Sequence, residues 1–492
     1  MRYELFVGGE WRDALSRETF EVTNPATGEM VAALPDGGRA DMQRAIEAAC
    51  DVQREWGRTT AGERAAILSE AARLMRGRAG PLARIMTLEQ GKPLVQSEGE
   101  VMYAASCLDR FAEEARRICG ETMPADSPDK RIFLLKRPVG VTAAVTPWNF
   151  PTSTVALKVG AAFAAGCTMV IKPSELAPLS ALELARAFEE AGLPRGVLSV
   201  VTGMDPADLS SAILEDRRVR KLSFTGSTEV GKTLMRGASD TVKRLSLELG
   251  GHAPFIVFED ADLDDAVENV IASKMRNAGQ TCISANRIFV HREITGEFSR
   301  RLVERMEEMK VGDGLEDGVE VGPLIEPSAV EKVERHVEDA RRKGATLMLG
   351  GKRIKGSGNF YEPTVLLGAD DSMLVAHEET FGPVAALLPF DDEDEVIARA
   401  NDTNYGLAAY YFTRDVGRVW RLAEELEYGI LGANDGMPAT DQTPSGGLKE
   451  SGFGREGGRY GVEEYLDVKC VSLGGISRRT GDKDGVSHDL SK

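Results

Sequence analysis

The sequence predicts an α/β protein of two or three domains, and three observations carry that reading. Short apolar runs, "VGVTAAV" from 139, "TMVIK" from 168, "VLSVVTG" from 197 and "KLSFTG" from 221, alternate with helical segments. A second alternating region follows from about 252 to 440. The chain has 492 residues, enough to bury more than one core. Strands alternating with helices of about 10 to 15 residues indicate βαβ units and parallel sheets. Ligands in such sheets bind beyond the carboxyl ends of the strands.

In chain order, "MRYELFVGGEW" reads as a hairpin turning at its glycines. Residues 40–120 read as helices. In "RAAILSEAARLM", Ile67, Leu68, Ala71, Ala72, Leu74 and Met75 share one face at helical spacing. "TSTVALKVGAAFAAG" reads as a helix ending at Gly166, and "SALELARAFEEAG" as one ending at Gly192. In the second region "APFIVF", "RIFVH" and "PVAALLPF" read as strands, with helices near 293–309 and 328–343. No internal repeat is present.

The formal net charge is −18, which argues against nucleic acid or an anionic membrane as partner, since phosphate neutralisation needs clustered Lys and Arg. The opening residues lack the charged-then-apolar pattern of an export signal, so none is expected, and no apolar run approaches the ~20 residues of a membrane helix. The six cysteines are scattered, with no C-x-x-C and no histidine at ligand spacing. That pattern predicts a cytoplasmic protein without a metal site.

Three glycine-rich stretches need sorting. "GSTEVGKT", 226–233, matches G-x-x-x-x-G-K-[ST] and follows a strand, and "FIVFED", 255–260, resembles its acidic partner strand. A P-loop nucleotidase is therefore a distant alternative. It predicts magnesium-dependent ATP hydrolysis indifferent to Cys282→Ala. "GFGREG", 452–457, matches G-x-G-x-x-G but lacks a preceding apolar strand and reads as a loop. In "RLSLELGG", Leu245, Leu247 and Leu249 face one way, while Ser246 and Glu248 face the other. Glu248 then stands on the polar side of a strand end, beside two glycines that let something approach closely. Gly226 and Ser227 open a helix, whose free N–H groups and dipole favour phosphate.

"TPWNFP" at 146, "FTGSTEVG" at 224, "LELGG" at 247 and "NAGQTC" at 277, with "EETFGPV" at 378 and "GGLKESGFGREGG" at 446, carry a resemblance. Together they resemble the NAD(P)-dependent aldehyde dehydrogenase superfamily, in order along nearly the whole chain. "NAGQTCISANR" and "NDTNYGLAAY" are most similar to its succinate-semialdehyde dehydrogenase branch. The resemblance implies a Rossmann-like cofactor domain (1–127 and 147–250) and an α/β catalytic domain (251–445). It also implies a small β oligomerisation element with the C-terminal segment (128–146 and 446–475) and a flexible tail (476–492). Relatives assemble as homodimers or homotetramers through that element.

The resemblance also implies roles. Cys282 attacks the aldehyde carbonyl, and a thiol needs local activation to do so. Asn149 and the Cys282 N–H stabilise the alkoxide, and Glu248 is base for hydrolysis of the thioester to a free acid rather than transfer to coenzyme A. Pro147 and Pro151 stiffen the turn that presents Asn149. Lys172 and Glu175 meet the adenosine ribose, where a carboxylate repels a 2'-phosphate, so NAD is expected over NADP. Gly226 and Ser227 meet the pyrophosphate, Trp148 and Leu249 border the cofactor, and Glu379 and Phe381 meet the nicotinamide ribose and ring. Without the resemblance, Cys282 reads as a small buried hydrophobe, Asn149 as a turn residue and Glu248 as a solvated strand residue. Lys158 reads as a structural helix lysine with some supporting polar role open to it, and Glu378 as solvated.

The sequence departs from the branch in three places. Arg287 matches one of two arginines that hold the distal carboxylate, but Leu157 occupies the place of the other. Ser284 replaces a second cysteine common in relatives, so a disulfide with Cys282 is chemically excluded there. Ser445 stands where an aromatic residue is usual, offering a hydroxyl or a larger pocket. Succinate semialdehyde or a related semialdehyde is the expected substrate, with a longer aliphatic or aromatic aldehyde packing on Leu157 as the rival. A catalytically silent binding protein, giving no NADH signal with any aldehyde, is the remaining class.

Overall fold

The computed structural model describes residues 3–476 except 357. Two sheets organise it. The first has eight strands, of which five are parallel: Leu198–Val200, Thr168–Lys172, Val141–Val145, Val219–Thr225 and Arg244–Glu248, in that spatial order. In chain order these are third, second, first, fourth and fifth. The order reverses between Val141–Val145 and Val219–Thr225, where the loops past the carboxyl ends diverge and leave a crevice. The hairpin Leu5–Val7 with Glu10–Arg12 extends one edge, and Gly452–Phe453 pairs antiparallel with Leu247–Glu248 at the other. "GFGREG" is thus mostly loop, with a two-residue strand the sequence did not signal.

Val141–Val145 and Thr168–Lys172 are buried throughout, as expected of parallel strands covered on both faces. One cover is the helix Ser153–Ala165, buried at nearly every position and ended by Gly166 in the left-handed region at φ 88°. It packs on the long outer helix Leu94–Ala115 at Gly160, where a Cβ would lie 2.4 Å from the Phe111 ring. The expected helices between 40 and 120 are Arg39–Trp56, Ala61–Gly77, Ala79–Gln90 and Leu94–Ala115. Thr60 and Glu63 close a reciprocal cap on the second of these.

The second sheet has seven strands in the order Thr346–Leu349, Thr364–Leu367, Val384–Phe390, Ala285–His291, Ala253–Val257, Ala408–Phe412 and Ile430–Ala433. All its pairings are parallel except the first. Residues 249–252 carry the chain from the carboxyl end of Arg244–Glu248 in the first sheet into Ala253–Val257 of the second. The two sheets therefore meet end to end there.

A third sheet is antiparallel: Glu121–Met123, Arg131–Pro138 and Leu466–Leu473. This corrects the expected span of the small β element at its 128–146 part. Arg131–Pro138 pairs with strands on either side of it, while Val141–Val145, buried and apolar, is the middle of the first sheet. Leu466–Leu473 is exposed over all but its first residue. The expected tail lies outside the described residues but for Ile476. Among the described residues no helix is long and apolar enough to cross a membrane.

Candidate active site

Cys282 lies between the helix Leu263–Lys274 and the strand Ala285–His291. The link is an unusual turn: Asn277, Ala278 and Gly279 are all left-handed, with φ of 53°, 54° and 77°. Two of these carry side chains that disfavour such a backbone, so the surroundings must hold it. They do so by hydrogen bonds. Gln280 Nε2 donates to the Asn277 carbonyl at 3.0 Å, and Gln280 Oε1 accepts from the Ile325 N–H at 2.9 Å. Gln90 Nε2 donates to Asn277 Oδ1 at 2.8 Å, and the Asn277 N–H donates to Gln96 Oε1 at 2.8 Å. Gly279 admits the Gly382 carbonyl oxygen, 2.2 Å from where a Cβ would stand.

The two glycines of "LELGG" have the use the sequence suggested. A Cβ on Gly251 would lie 2.1 Å from the Cys282 carbonyl oxygen. The absence of that atom lets the cysteine loop close on the end of strand Arg244–Glu248. Glu248 is buried there beside the Cys282 thiol. Asn149, on the turn after Val141–Val145, donates from Nδ2 to the Gln280 carbonyl at 3.1 Å and has a second N–H to give. Cys282, Glu248 and Asn149, drawn from three separate segments, thus share one place.

Two cavities meet at that place. One, of about 410 Å³, is lined by Phe150, Leu157, Ile283, Met437 and Ala439, with Gln96, Tyr103, Arg276, Ser445 and Glu456 among its polar groups. The other, of about 400 Å³, is lined by Trp148, Gly226, Ser227, Gly250, Lys332, Glu379 and Phe381. Asn149, Thr225, Glu248 and Cys282 border both. Trp148 and Phe381 stand edge to face at 5.7 Å, Phe381 with φ 54°. Glu379 Oε1 accepts from the Gly251 N–H at 3.0 Å. Ser227 caps the helix Thr228–Ala238, whose amino end adjoins the second cavity.

Not every expected residue comes to these cavities. Arg287 does not: it is 2% exposed, and its guanidinium donates to the carbonyls of His252, Arg399 and Ala400 and to the Tyr428 hydroxyl. With its donors so engaged it supports the second sheet rather than a substrate. Leu249 is also corrected. Its side chain is buried against Gly231 in the core below the first sheet, on the face it shares with Leu247. Lys172 and Glu175 form an ion pair at the end of Thr168–Lys172, outside the lining of the second cavity. Leu157 and Ser445 do line the first cavity.

The sequence reading missed Arg276 and Lys332. Arg276 faces the first cavity, its guanidinium 5.0 Å from the Phe150 ring and without a hydrogen-bond or ion-pair partner among the described residues. A cation six residues before the cysteine was the available signal. Lys332 sits on the charge-rich helix Pro327–Arg342, where nothing distinguishes it from its neighbours. Lys158 is buried and bonds Thr225 Oγ1 at 2.8 Å and Glu456 of the first cavity, so its role is both structural and polar. Glu378 is exposed and bonds His336.

Burial governs the electrostatics. It pushes the Cys282 thiol well above its usual range, with Glu248 and Glu379 adding to the shift and Arg276 opposing it. It also raises Glu248 to about 7, against the lowering effect of the neighbouring Cys282, and Glu379 to about 7. The P-loop alternative fails on geometry. Lys232 pairs with Glu450 at 2.8 Å, and "FIVFED" lies in the other sheet from "GSTEVGKT".

A doubly wound sheet joined through residues 249–252 to a second α/β sheet, with a half-buried cysteine at the junction, defines the class, and the comparisons agree. Residues 11–471 match the aldehyde dehydrogenase family, to which the chain belongs. It is 52% identical to glutarate-semialdehyde dehydrogenase of Pseudomonas putida, over 96% of this chain and 98% of that one. It is 50% identical to succinate-semialdehyde dehydrogenase [NADP(+)] of Escherichia coli, over the same shares. The crystal structure of succinate-semialdehyde dehydrogenase from Burkholderia pseudomallei is similar with a TM-score of 0.95 and 52% identity, covering 96% of this chain and 98% of that one. The protein is an oxidoreductase of aldehydes.

The electrostatics give a direct expectation for the thiol. In a Glu248→Gln variant the pH midpoint for alkylation of Cys282 by iodoacetamide falls, because a carboxylate that disfavours the thiolate is gone. Following adduct formation by mass spectrometry across pH measures this, and an unmoved midpoint means the two groups are not coupled.

Proposed function

We propose that this protein oxidises a short aldehyde with a distal anionic group, succinate semialdehyde or a related semialdehyde, to its carboxylic acid with NAD. The observation that carries the reading is the meeting of Cys282, Glu248 and Asn149 at the junction of two cavities. One holds an unpaired guanidinium and the other a helix N-terminus.

The second cavity fits a dinucleotide. Its helix N-terminus suits a pyrophosphate, its aromatic pair a planar ring, and the Glu379 carboxylate and Lys332 a ribose. A bound nicotinamide supplies the acceptor for the aldehyde hydrogen and its electron pair. Glu248 accepts the thiol proton of Cys282 as sulfur adds to the carbonyl carbon, and the carbonyl π electrons move to oxygen. The Asn149 amide stabilises that oxyanion. Loss of the carbon-bound hydrogen with its pair leaves a thioester on Cys282. Glu248, having released the first proton to solvent, takes one from water, whose oxygen adds to the thioester carbon. The C–S bond breaks, the thiolate is restored and the acid leaves. A base raised to about 7 suits this task near neutral pH. The Cys282→Ala enzyme forms no NADH. The Glu248→Gln enzyme gives at most one NADH per active site and then stalls as an acyl-enzyme detectable by its mass. Full steady-state turnover in that variant removes Glu248 from the mechanism.

Arg276 takes the anchoring role expected of Arg287. Relatives named for succinate and glutarate semialdehyde are consistent with a distal carboxylate there. A second reading, longer aliphatic or aromatic aldehydes, is favoured by the apolar wall of Phe150, Leu157, Ile283 and Met437. Arg276→Met lowers kcat/KM for succinate semialdehyde by about 10- to 100-fold, the worth of a charge-assisted hydrogen bond of ~1.5–3 kcal/mol, and leaves hexanal and benzaldehyde nearly unchanged. If the parent enzyme prefers hexanal or benzaldehyde to succinate semialdehyde, the second reading replaces the first.

For the cofactor, Glu175 supports NAD, although the Escherichia coli relative is named for NADP(+). Its carboxylate beside Lys172 disfavours a 2'-phosphate by like-charge repulsion. Glu175→Ser raises the ratio of kcat/KM for NADP over NAD by about tenfold or more, ~1.4 kcal/mol of repulsion removed. A parent enzyme that prefers NADP contradicts the assignment.

A further inference from the structure

A buried ion pair stands behind the turn that presents Asn149. Lys92, 1% exposed, follows the helix Ala79–Gln90, and Glu100 is on Leu94–Ala115. Lys92 Nζ meets Glu100 Oε2 at 2.6 Å. Stability alone is a poor reason for such a pair, because well-packed apolar residues of similar volume generally serve as well or better. The remaining bonds of the two side chains are more informative. Lys92 Nζ donates to the Asn149 carbonyl at 2.7 Å. Glu100 Oε1 accepts from the N–H groups of Thr152 and Ser153, both at 3.0 Å. The pair therefore grips both ends of the segment 149–153.

The same carbonyl ties that segment to the cysteine loop. Asn277 Nδ2 donates to the Asn149 carbonyl at 3.1 Å and to the Gln280 carbonyl at 3.2 Å, and the latter also receives Asn149 Nδ2 at 3.1 Å. Two carbonyls thus fix the turn against the left-handed stretch leading to Cys282, and among the described residues Lys92 is the one cation bonded to either.

We infer that Lys92, charge-balanced by Glu100, is a positioning residue that sets the Asn149 amide in register with Cys282 for oxyanion formation. This rests on the reading of Asn149 as the oxyanion donor. Both side chains also line the substrate cavity, so the test must separate positioning from substrate contact.

Lys92→Met/Glu100→Gln removes both charges together and keeps an acceptor for the helix N–H groups. With NAD-saturated enzyme and succinate semialdehyde, single-turnover NADH formation slows by about 10- to 100-fold, the scale of a displaced catalytic group, while KM stays within about threefold. Asn149→Ala slows the same step. Adding the pair exchange to Asn149→Ala produces little further loss, because the positioned amide is already absent. An unchanged single-turnover rate in the pair variant overturns the inference. So do losses that multiply in the triple variant, and so does a rise in KM without a fall in rate. Full rate in Asn149→Ala is a different failure: it removes the oxyanion donor itself, and the inference with it. Should the pair variant not fold, Lys92→Arg keeps the charge but moves the donors. It slows the single turnover with KM held, and full rate in it overturns the inference equally.

Discussion

The structure depends on one close approach, that of the Cys282 carbonyl to the Cα of Gly251. A single methyl group would stand 2.1 Å from that oxygen. Because the atom is absent, the end of the first sheet and the loop entering the second share the same few ångströms. Glu248 precedes the contact by three residues and reaches the thiol, while Gly250 borders the second cavity and the Gly251 N–H holds Glu379. The left-handed turn at 277–279 is the counterpart on the other side. Its strain is sustained by Gln90, Gln96 and Gln280, whose bonds come from three different parts of the chain. Neither sheet alone makes a site.

Much of this was legible in the sequence because parallel strands covered on both faces are continuous apolar runs. Val141–Val145, Thr168–Lys172 and Ala253–Val257 are such runs, and the glycines at 166 and 192 end helices as expected. Strands fixed by distant partners were harder. Gly452–Phe453 exists only through its pairing with Leu247–Glu248, and Arg131–Pro138 takes its place from partners far away at 466–473. Neither is written in local periodicity.

The site was legible where a segment carries a distinctive combination, as at Cys282, Glu248 and Asn149. It was misread where side-chain direction decides. Arg287 follows the cysteine by five residues, but it lies within the regular strand 285–291, which carries its guanidinium to the carbonyls of 252, 399 and 400. Arg276 precedes the cysteine by six, and the irregular turn between them returns it to the cavity. Leu249 sits next to functional neighbours yet follows the strict alternation of its strand into the core. Net charge was equally uninformative at this scale: a chain of −18 still presents the Arg276 guanidinium to its first cavity.

Ser284 has a consequence for how the protein meets oxidants. Among the described residues Cys282 is the only cysteine lining either cavity, and the position two residues on, where a thiol could have captured its oxidised form, holds a buried hydroxyl. A sulfenic acid formed there has no resident sulfur with which to condense. Rescue must come from a small thiol that enters through the same openings as the ligands. Otherwise oxidation continues to the sulfinic acid, and the damage is permanent. Protection thus falls to occupancy, since a filled cavity leaves less room for peroxide beside the sulfur.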